Sequence, residues 1–113
     1  MENCIFCKIA RGEIPSTIVY RDENVFAFRD ISPQAPSHIL VVPVKHIPDL
    51  LEDEAANGNL LEKIFKTIQK IAKSEGLQNG FRIVANHGDD GGQSVQHIHF
   101  HILGKRRMVW PPG

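Results

Sequence analysis

Half of the chain's six histidines lie within one five-residue stretch. His97, His99 and His101 alternate there with the apolar residues Ile98 and Phe100. Successive side chains of a β-strand point to opposite faces, so a strand here places all three imidazoles on one face, with neighbours about 6.6 Å apart. The pattern predicts a half-buried strand with one apolar face and one histidine face.

Three interpretations of this histidine row differ in their chemistry. The histidines can be solvent-facing residues of an edge strand, although strict alternation beside a Gly-Gly-Gln-Ser loop disfavours that. They can bind zinc, but three alternate positions span too far for one ion, so two of them, or one with other ligands, would do so. They can also be catalytic, because neutral imidazole is a nucleophile near pH 7 that can attack phosphorus and accept a phosphoryl or nucleotidyl group.

Nucleophilic attack on phosphorus makes demands on the surroundings of the attacking ring. Its other nitrogen must be hydrogen bonded, the phosphate oxygens need donors, and the leaving group needs a proton. A histidine two residues along the strand can meet the last two demands. The preceding loop offers the Gln93 and Ser94 side chains, and glycines that let the backbone approach a phosphate closely.

The only two cysteines, Cys4 and Cys7, are spaced as C-x-x-C. In a reducing compartment this spacing is typical of a metal half-site or a redox pair rather than a structural disulfide. No strand is predicted before the motif, which disfavours a thioredoxin-like unit. Tetrahedral zinc needs four ligands, so a zinc site here must include histidines.

Composition excludes several classes of protein. Hydrophobic residues make up 42% and charged residues 23% of the chain, and 13 basic residues balance 13 acidic ones. This balance argues against a nucleic-acid-coating surface. No apolar run is long enough to span a membrane, and the N-terminus lacks the features of a signal peptide. We expect one domain over residues 1–113, located in the cytoplasm, with neither nucleic acid nor a membrane as partner.

The elements that position these residues follow from periodicity and turn signals. The clearest is a helix from about Leu60 to Glu75, whose apolar residues recur every three or four positions. A helical turn is expected over residues 4–10, and a further turn from Asp49, with Glu52 completing a capping box. Strands are predicted over residues 18–20, 25–28, 38–44, 81–85 and 95–103. This order predicts an α+β fold, with a largely antiparallel sheet packed against the long helix.

Four stretches of the sequence match one protein family in the right order along the chain. They are H-I-H-F-H-I-L at residues 97–103, D-I-S-P-Q-A-P-S-H-I-L-V-V-P at 30–43, G-G-Q-S-V at 91–95, and the terminal W-P-P-G. The chain thereby resembles the histidine triad (HIT) family, and within it the Hint branch of purine nucleoside phosphoramidases. The resemblance implies the HIT fold, a sheet of about five antiparallel strands with one long and one short N-terminal helix, and a homodimer.

The resemblance also implies roles for individual residues. His99 resembles the nucleophile that forms a nucleotidyl-histidine intermediate, His101 the residue that contacts phosphate and assists the leaving group, and His38 the histidine completing their hydrogen-bonded network. Asp30 matches a carboxylate that binds ribose hydroxyls, with a solvated turn residue as the alternative. The loop for phosphate and the leaving group corresponds to Asn86, Gly92, Gln93 and Ser94. The apolar purine slot corresponds to Phe6, Ile9, Ile14, Phe28, Ile31 and Leu40, for which core packing is an equal alternative.

Two further expectations come from the resemblance. Bacterial members with C-x-x-C bind structural zinc, which here implies the ligands Cys4, Cys7, His46 and His97; free thiols and a surface His46 are the alternative. Such a closed Cys₂His₂ site leaves no open position for substrate, and no catalytic metal is expected. Trp110 is expected to shape the leaving-group side of the partner subunit's site, or else to pack in the dimer interface.

The function expected from these features is hydrolysis of purine nucleoside phosphoramidates or related conjugates, releasing a nucleoside monophosphate such as AMP. The third histidine position is glutamine in uridylyltransferase relatives, so His101, which can carry a proton, favours hydrolysis over group transfer. A dinucleoside polyphosphate hydrolase, as in the Fhit branch, is the alternative enzyme. A nucleotide-binding regulator or scaffold is the alternative from another class.

Overall fold

A computed structural model describes residues 3–113. It contains the helices α1 (Ile5–Ala10), α2 (Leu60–Ser74) and α3 (Gly88–Gly91), a 3₁₀ turn at Asp53–Ala55, and the strands β1 (Ile18–Arg21), β2 (Val25–Arg29), β3 (Ser37–Pro43), β4 (Phe81–Val84) and β5 (Phe100–Gly104). The strands form one sheet in the order β1-β2-β3-β5-β4, and every neighbouring pair is antiparallel. The predicted fold class is confirmed.

The two faces of the sheet carry different cores because side chains alternate along each strand. One face packs against α2, which contributes Ile64, Ile68 and Ile71 to a cluster with residues such as Ile39 and Ile102. The other face packs against α1 in a second cluster, consisting of Phe6, Ile9, Phe26, Phe28, Leu40 and Val42. The second face carries the candidate site.

The register between β3 and β5 brings distant histidines together. In this antiparallel pair, Leu40 lies opposite His101, and His38 lies opposite Leu103. His38 is therefore two residues from the partner of His101 and points to the same face of the sheet. All of β3 is buried, so this contact forms at the centre of the sheet rather than at an edge.

The structure differs from the sequence predictions at three places. The last strand is regular only from Phe100, because the preceding backbone leaves the ladder; there the Ile98 N–H donates to the Ile47 carbonyl, at 2.8 Å. One helical turn, α3, occupies part of the predicted loop. The predicted capping box is wrong: Asp49 Oδ1 accepts from the Leu51 N–H, and Glu52 makes no side-chain cap. Within residues 3–113, no helix is both long and apolar enough to cross a bilayer.

Candidate active site and metal site

His99 is held in one tautomer by the backbone. Its Nδ1–H donates to the carbonyl of His97, at 2.7 Å, so the lone pair of a neutral ring is on Nε2. Burial lowers the pKa of His99, and the side chain is only 6% exposed. His99 also lines a cavity. This arrangement provides an uncharged imidazole with one nitrogen available for attack.

The neighbouring His101 is oriented by a chain of hydrogen bonds. The Gln34 N–H donates to His38 Nδ1, at 3.0 Å, which requires the proton of a neutral His38 to be on Nε2. That N–H donates in turn to His101 Nδ1, at 2.9 Å, and leaves the His101 proton on Nε2. Burial, together with His99 and His38, lowers the pKa of His101 to about 4. His101 is thus a neutral N–H donor, its ring centroid 5.1 Å from that of His99.

Asp30 lies at the edge of this network. Its Oδ1 accepts from the Ser32 N–H, at 2.7 Å, and its Oδ2 is 3.5 Å from His38 Nε2. Burial lowers the pKa of His38, and the Asp30 charge acts in the opposite direction. Asp30 also lines the same cavity as His99, so its carboxylate faces both the histidines and the space for a ligand.

The cavity has a volume of about 230 Å³ and lies between α1 and the sheet. Its lining is mostly apolar and includes the Asp30 carboxylate, His99 and His101. Its apolar wall includes all six residues of the predicted purine slot, Phe6, Ile9, Ile14, Phe28, Ile31 and Leu40. Ile31 is 92% exposed and forms the rim, whereas Phe6 and Leu40 are buried. Ser94 also lines the cavity.

A second cluster forms where α1 meets the segment before β5. Cys4 Sγ is 3.3 Å from His97 Nδ1, and Cys7 Sγ is 3.3 Å from His46 Nδ1 and 3.5 Å from His97 Nδ1. The four ligand atoms all lie within 4.8 Å of one another. Tetrahedral zinc with ordinary bond lengths places sulfur and nitrogen ligands about 3.6 Å apart. The spacing of these side chains fits a zinc ion.

Local structure prepares the ligands of this cluster. Cys4 is the N-cap of α1 and accepts from the Cys7 N–H, at 3.4 Å, so both sulfurs face one point. His97 is completely buried, and its Nε2–H donates to the Pro43 carbonyl, at 2.8 Å, which leaves Nδ1 as the acceptor facing the thiols. Burial lowers the pKa of His97 to about 4, so the ring is neutral, as metal binding requires.

Asp30, His38 and His101 form a third group whose ligand atoms are close enough for a metal. The Gln34 N–H excludes that use, because it occupies His38 Nδ1 and keeps a proton on the nitrogen that a metal would need. The structure thus distinguishes a metal cluster, Cys4, Cys7, His46 and His97, from a proton network, Gln34, His38, His101 and Asp30.

The matched sequence region contains the histidine row and both β3 and β5. The HIT domain model matches residues 11–108. The chain belongs to the HIT family. The 14 kDa zinc-binding protein of Zea mays is 52% identical over 111 residues, covering 96% of this chain and 87% of that protein. Adenylylsulfatase HINT1 of Arabidopsis thaliana is 50% identical over 111 residues, covering 96% of this chain and 76% of that protein.

Solved structures agree with this assignment. A HIT family hydrolase from Legionella pneumophila Philadelphia 1 superposes with a TM-score of 0.94 at 52% sequence identity, covering 98% of this chain and all of that one. At this similarity the two chains share the HIT fold over nearly their entire length. The predicted HIT fold is confirmed, together with the C-x-x-C cysteines beside histidines.

In the loop before β5, the predicted site residue Gln93 hydrogen bonds to the backbone of its own chain. Gln93 is 8% exposed; its Nε2 donates to the carbonyls of Pro48 and Val95, at 2.7 and 3.0 Å, and its Oε1 accepts from the Gly88 N–H. Gly92 ends α3 in the left-handed region, at φ 78°. Half-buried Asn86 lies next to Gly91 of that helix. None of these three residues lines the cavity, and their predicted contacts with phosphate stay predictions.

Trp110 lies away from the cavity of its own chain and is 82% exposed. The tail is attached to β4 by the Arg82 side chain, which donates to the Val109 carbonyl at 3.0 Å. The predicted contribution of Trp110 to the site of a partner subunit therefore stays a prediction.

Sequence reasoning missed the groups that choose the histidine tautomers and one polar residue of the cavity. The tautomers depend on the Gln34 N–H and the Pro43 carbonyl, and backbone groups leave no signal in residue types. Ser16 lines the cavity beside Ile14, and its enclosed hydroxyl has no hydrogen-bond partner among residues 3–113. The only sequence signal that could have associated Ser16 with the purine slot is its position two residues after Ile14.

Proposed function

We propose that this HIT protein is a hydrolase that cleaves purine nucleoside phosphoramidates or related nucleotidyl conjugates through a covalent intermediate on His99. One observation carries the proposal. The His97 carbonyl accepts a hydrogen bond from the Nδ1–H of His99 and leaves Nε2 as the nucleophile, in a cavity with an apolar slot and a carboxylate. A nucleotide matches that cavity, with its base in the slot, its ribose hydroxyls at Asp30 and its α-phosphate at His99.

In the first step, His99 Nε2 forms a bond to the α-phosphorus, and the bond from phosphorus to the leaving nitrogen breaks. That nitrogen must depart with a proton. An anionic phosphate beside His101 offsets the burial that lowers its pKa, so His101 takes up a proton in the complex and delivers it to the leaving nitrogen. Asp30 Oδ2 is 3.5 Å from His38 Nε2 and can accept the His38 N–H once His101 Nδ1 carries the added proton.

In the second step, water attacks the phosphorus, and the bond from His99 to phosphorus breaks. The proton of the water passes to His101, and the product is a nucleoside monophosphate such as AMP. The His97 carbonyl oxygen accepts the Nδ1–H of His99. It thereby stabilises the positive charge that develops on the His99 ring during attack. No step needs a catalytic metal.

A sulfate leaving group is a second candidate, and the name of the Arabidopsis relative favours it. Attack by His99 on an adenylyl sulfate needs the same cavity, but sulfate departs as an anion without a proton. The two substrates therefore differ in their need for His101, which makes this residue the means of separating them.

Steady-state turnover of adenosine 5′-phosphoramidate, adenylyl sulfate and a diadenosine polyphosphate tests the proposal. We expect the phosphoramidate to have the highest kcat/KM and His99→Gln to abolish turnover of all three. In a single turnover of His101→Gln, release of the leaving group should slow much more for the phosphoramidate than for the sulfate. Preference for the diadenosine substrate would instead support a dinucleoside polyphosphate hydrolase. Nucleotide binding without turnover of any substrate would support a regulator or scaffold.

We also propose that zinc in the metal cluster is structural and that the protein is a cytoplasmic homodimer of one-domain chains. The closed ligand set supports the first point, and both cysteines are free thiols. The dimer is supported by Phe81 and Ile83, which are 40% and 39% exposed on the edge strand β4. Light scattering after gel filtration, at micromolar chain concentration, tests for two chains per particle.

A further inference from the structure

The short helix α1 contributes to both the metal cluster and the nucleotide cavity. Cys4, its N-cap, and Cys7, in its first turn, are ligand residues of the metal cluster, whereas Phe6 and Ile9 line the nucleotide cavity. A helix of six residues is too short to be stable by itself, so its position depends on the groups that it contacts. Whatever holds the two cysteines therefore also holds this wall of the cavity.

The Phe6 ring is the contact through which a change in α1 reaches the cavity. It is 5% exposed and meets three rings edge-on, with centroids 5.9 Å from His97, 5.0 Å from His99 and 5.6 Å from Phe28. His97 belongs to the metal cluster, His99 is the proposed nucleophile, and Phe28 is part of the slot. Close packing means that a displaced Phe6 changes all three contacts together.

His97 provides a second connection, through its own backbone. Its Nδ1 faces the two thiols, while its carbonyl accepts the Nδ1–H of His99, at 2.7 Å. The Pro43 carbonyl holds the remaining ring nitrogen. A metal on the imidazole of His97 thus fixes the residue whose carbonyl sets the tautomer of His99.

We infer that zinc occupancy and nucleotide binding are coupled through Phe6 and His97. Zinc holds α1 and His97 in the geometry that binds the nucleotide, and a bound nucleotide, packed against Phe6, resists the movement of α1 that releases zinc. Coupling of this kind is reciprocal, so each ligand raises the affinity for the other by the same factor. The inference rests on the proposed function for the identity of its second ligand.

Zinc release tests the coupling on the metal-loaded protein. Transfer of zinc to a chromogenic chelator is followed with and without saturating AMP, and AMP affinity is measured by calorimetry for loaded and zinc-stripped protein. We expect AMP to slow zinc release, and stripping to weaken AMP binding, by about fivefold or more. Equal release rates, within about twofold, in protein that binds AMP would overturn the coupling. Failure of loaded protein to bind AMP would overturn the proposed nucleotide site instead.

Two variants show whether the coupling follows the assigned path. Phe6→Leu keeps all four ligand residues but removes the ring contacts, so AMP should slow zinc release much less than in the unchanged protein. Ile14→Ala is the matched control, because Ile14 lines the cavity outside α1. It should weaken AMP binding yet retain the effect of saturating AMP on zinc release. Full coupling in Phe6→Leu, or its loss in Ile14→Ala, would contradict the assigned path even if stripped protein does not fold.

Discussion

The metal cluster and the proton network are built from similar side chains but are prepared for different chemistry. In the metal cluster, the Pro43 carbonyl accepts a hydrogen bond from the Nε2–H of His97 and leaves Nδ1 free for a metal. In the proton network, a backbone donor, the Gln34 N–H, occupies Nδ1 of His38 and keeps a proton on Nε2. The polarity of one backbone group decides whether an imidazole is prepared as a ligand or as a proton donor.

The two clusters meet at His99, whose substitution should have the largest effect. His99→Gln removes the nucleophile, and we expect single-turnover rates to fall by about a thousandfold or more, because a covalent mechanism has no substitute for that group. Zinc content and the unfolding midpoint should stay close to those of the unchanged protein. A loss of zinc in this variant would show that the two clusters are not separable.

Among these variants, Cys7→Ser should have the largest effect on zinc binding. It removes one zinc ligand, and the free energy of unfolding should fall by on the order of 4 kcal/mol at zinc about a thousand times the Kd of the intact site. Urea denaturation and metal analysis measure the two consequences. His38→Asn is the control: it disturbs the proton network and should retain one zinc per chain. Unchanged stability in Cys7→Ser would contradict a structural zinc.

Acid should destabilise the protein in part through His101. The folded pKa is lowered from its usual 6.5 to about 4, so the unfolded chain binds the proton first as the pH falls. The contribution to stability is complete above pH 6.5 and is lost as the pH falls towards 4, on the order of 3 kcal/mol in all.

His101→Gln, which does not titrate, is the comparison for this pH effect. Its free energy of unfolding should decrease less than that of the unchanged protein between pH 6.5 and 5, as measured by urea titration at each pH. Any zinc lost in acid is lost by both proteins and cancels in the difference. Parallel pH profiles would contradict a neutral, buried His101.

Asp30→Asn should have the smallest effect of these variants. It keeps the size of the side chain and the acceptor for the Ser32 N–H but removes the charge facing the ribose position. AMP affinity should fall by about tenfold, in line with the loss of a hydrogen bond to a charged group. Calorimetry with AMP and 2′-deoxy-AMP gives the control, because the substitution should matter less for the deoxynucleotide.

Sequence reasoning predicted best what depends on local pattern. The spacing of apolar residues placed α2 within one residue at its C-terminal end. The resemblance to zinc-binding HIT proteins indicated a ligand set that the fold brings together. It failed where tertiary contacts override the pattern. Alternation predicted a strand from residue 95, yet His97 is turned towards the cysteines and the strand begins at Phe100. The helical turn at Gly88–Gly91 was missed because glycine and aspartate are poor helix formers.

The central claim is that the three histidines of one segment have different roles: His97 binds the metal, His99 attacks phosphorus and His101 transfers the proton. Trapping the intermediate tests it most directly. His101→Gln is mixed with adenylyl sulfate labelled at the α-phosphorus, whose sulfate departs without a proton, and the reaction is quenched. The labelled peptide is identified by mass spectrometry under conditions that preserve the bond between nitrogen and phosphorus. The account predicts one adenylyl group on His99 and none in His99→Gln. Label on His97 or on His101, or turnover with no labelled protein in either His101→Gln or the unchanged chain, would contradict it.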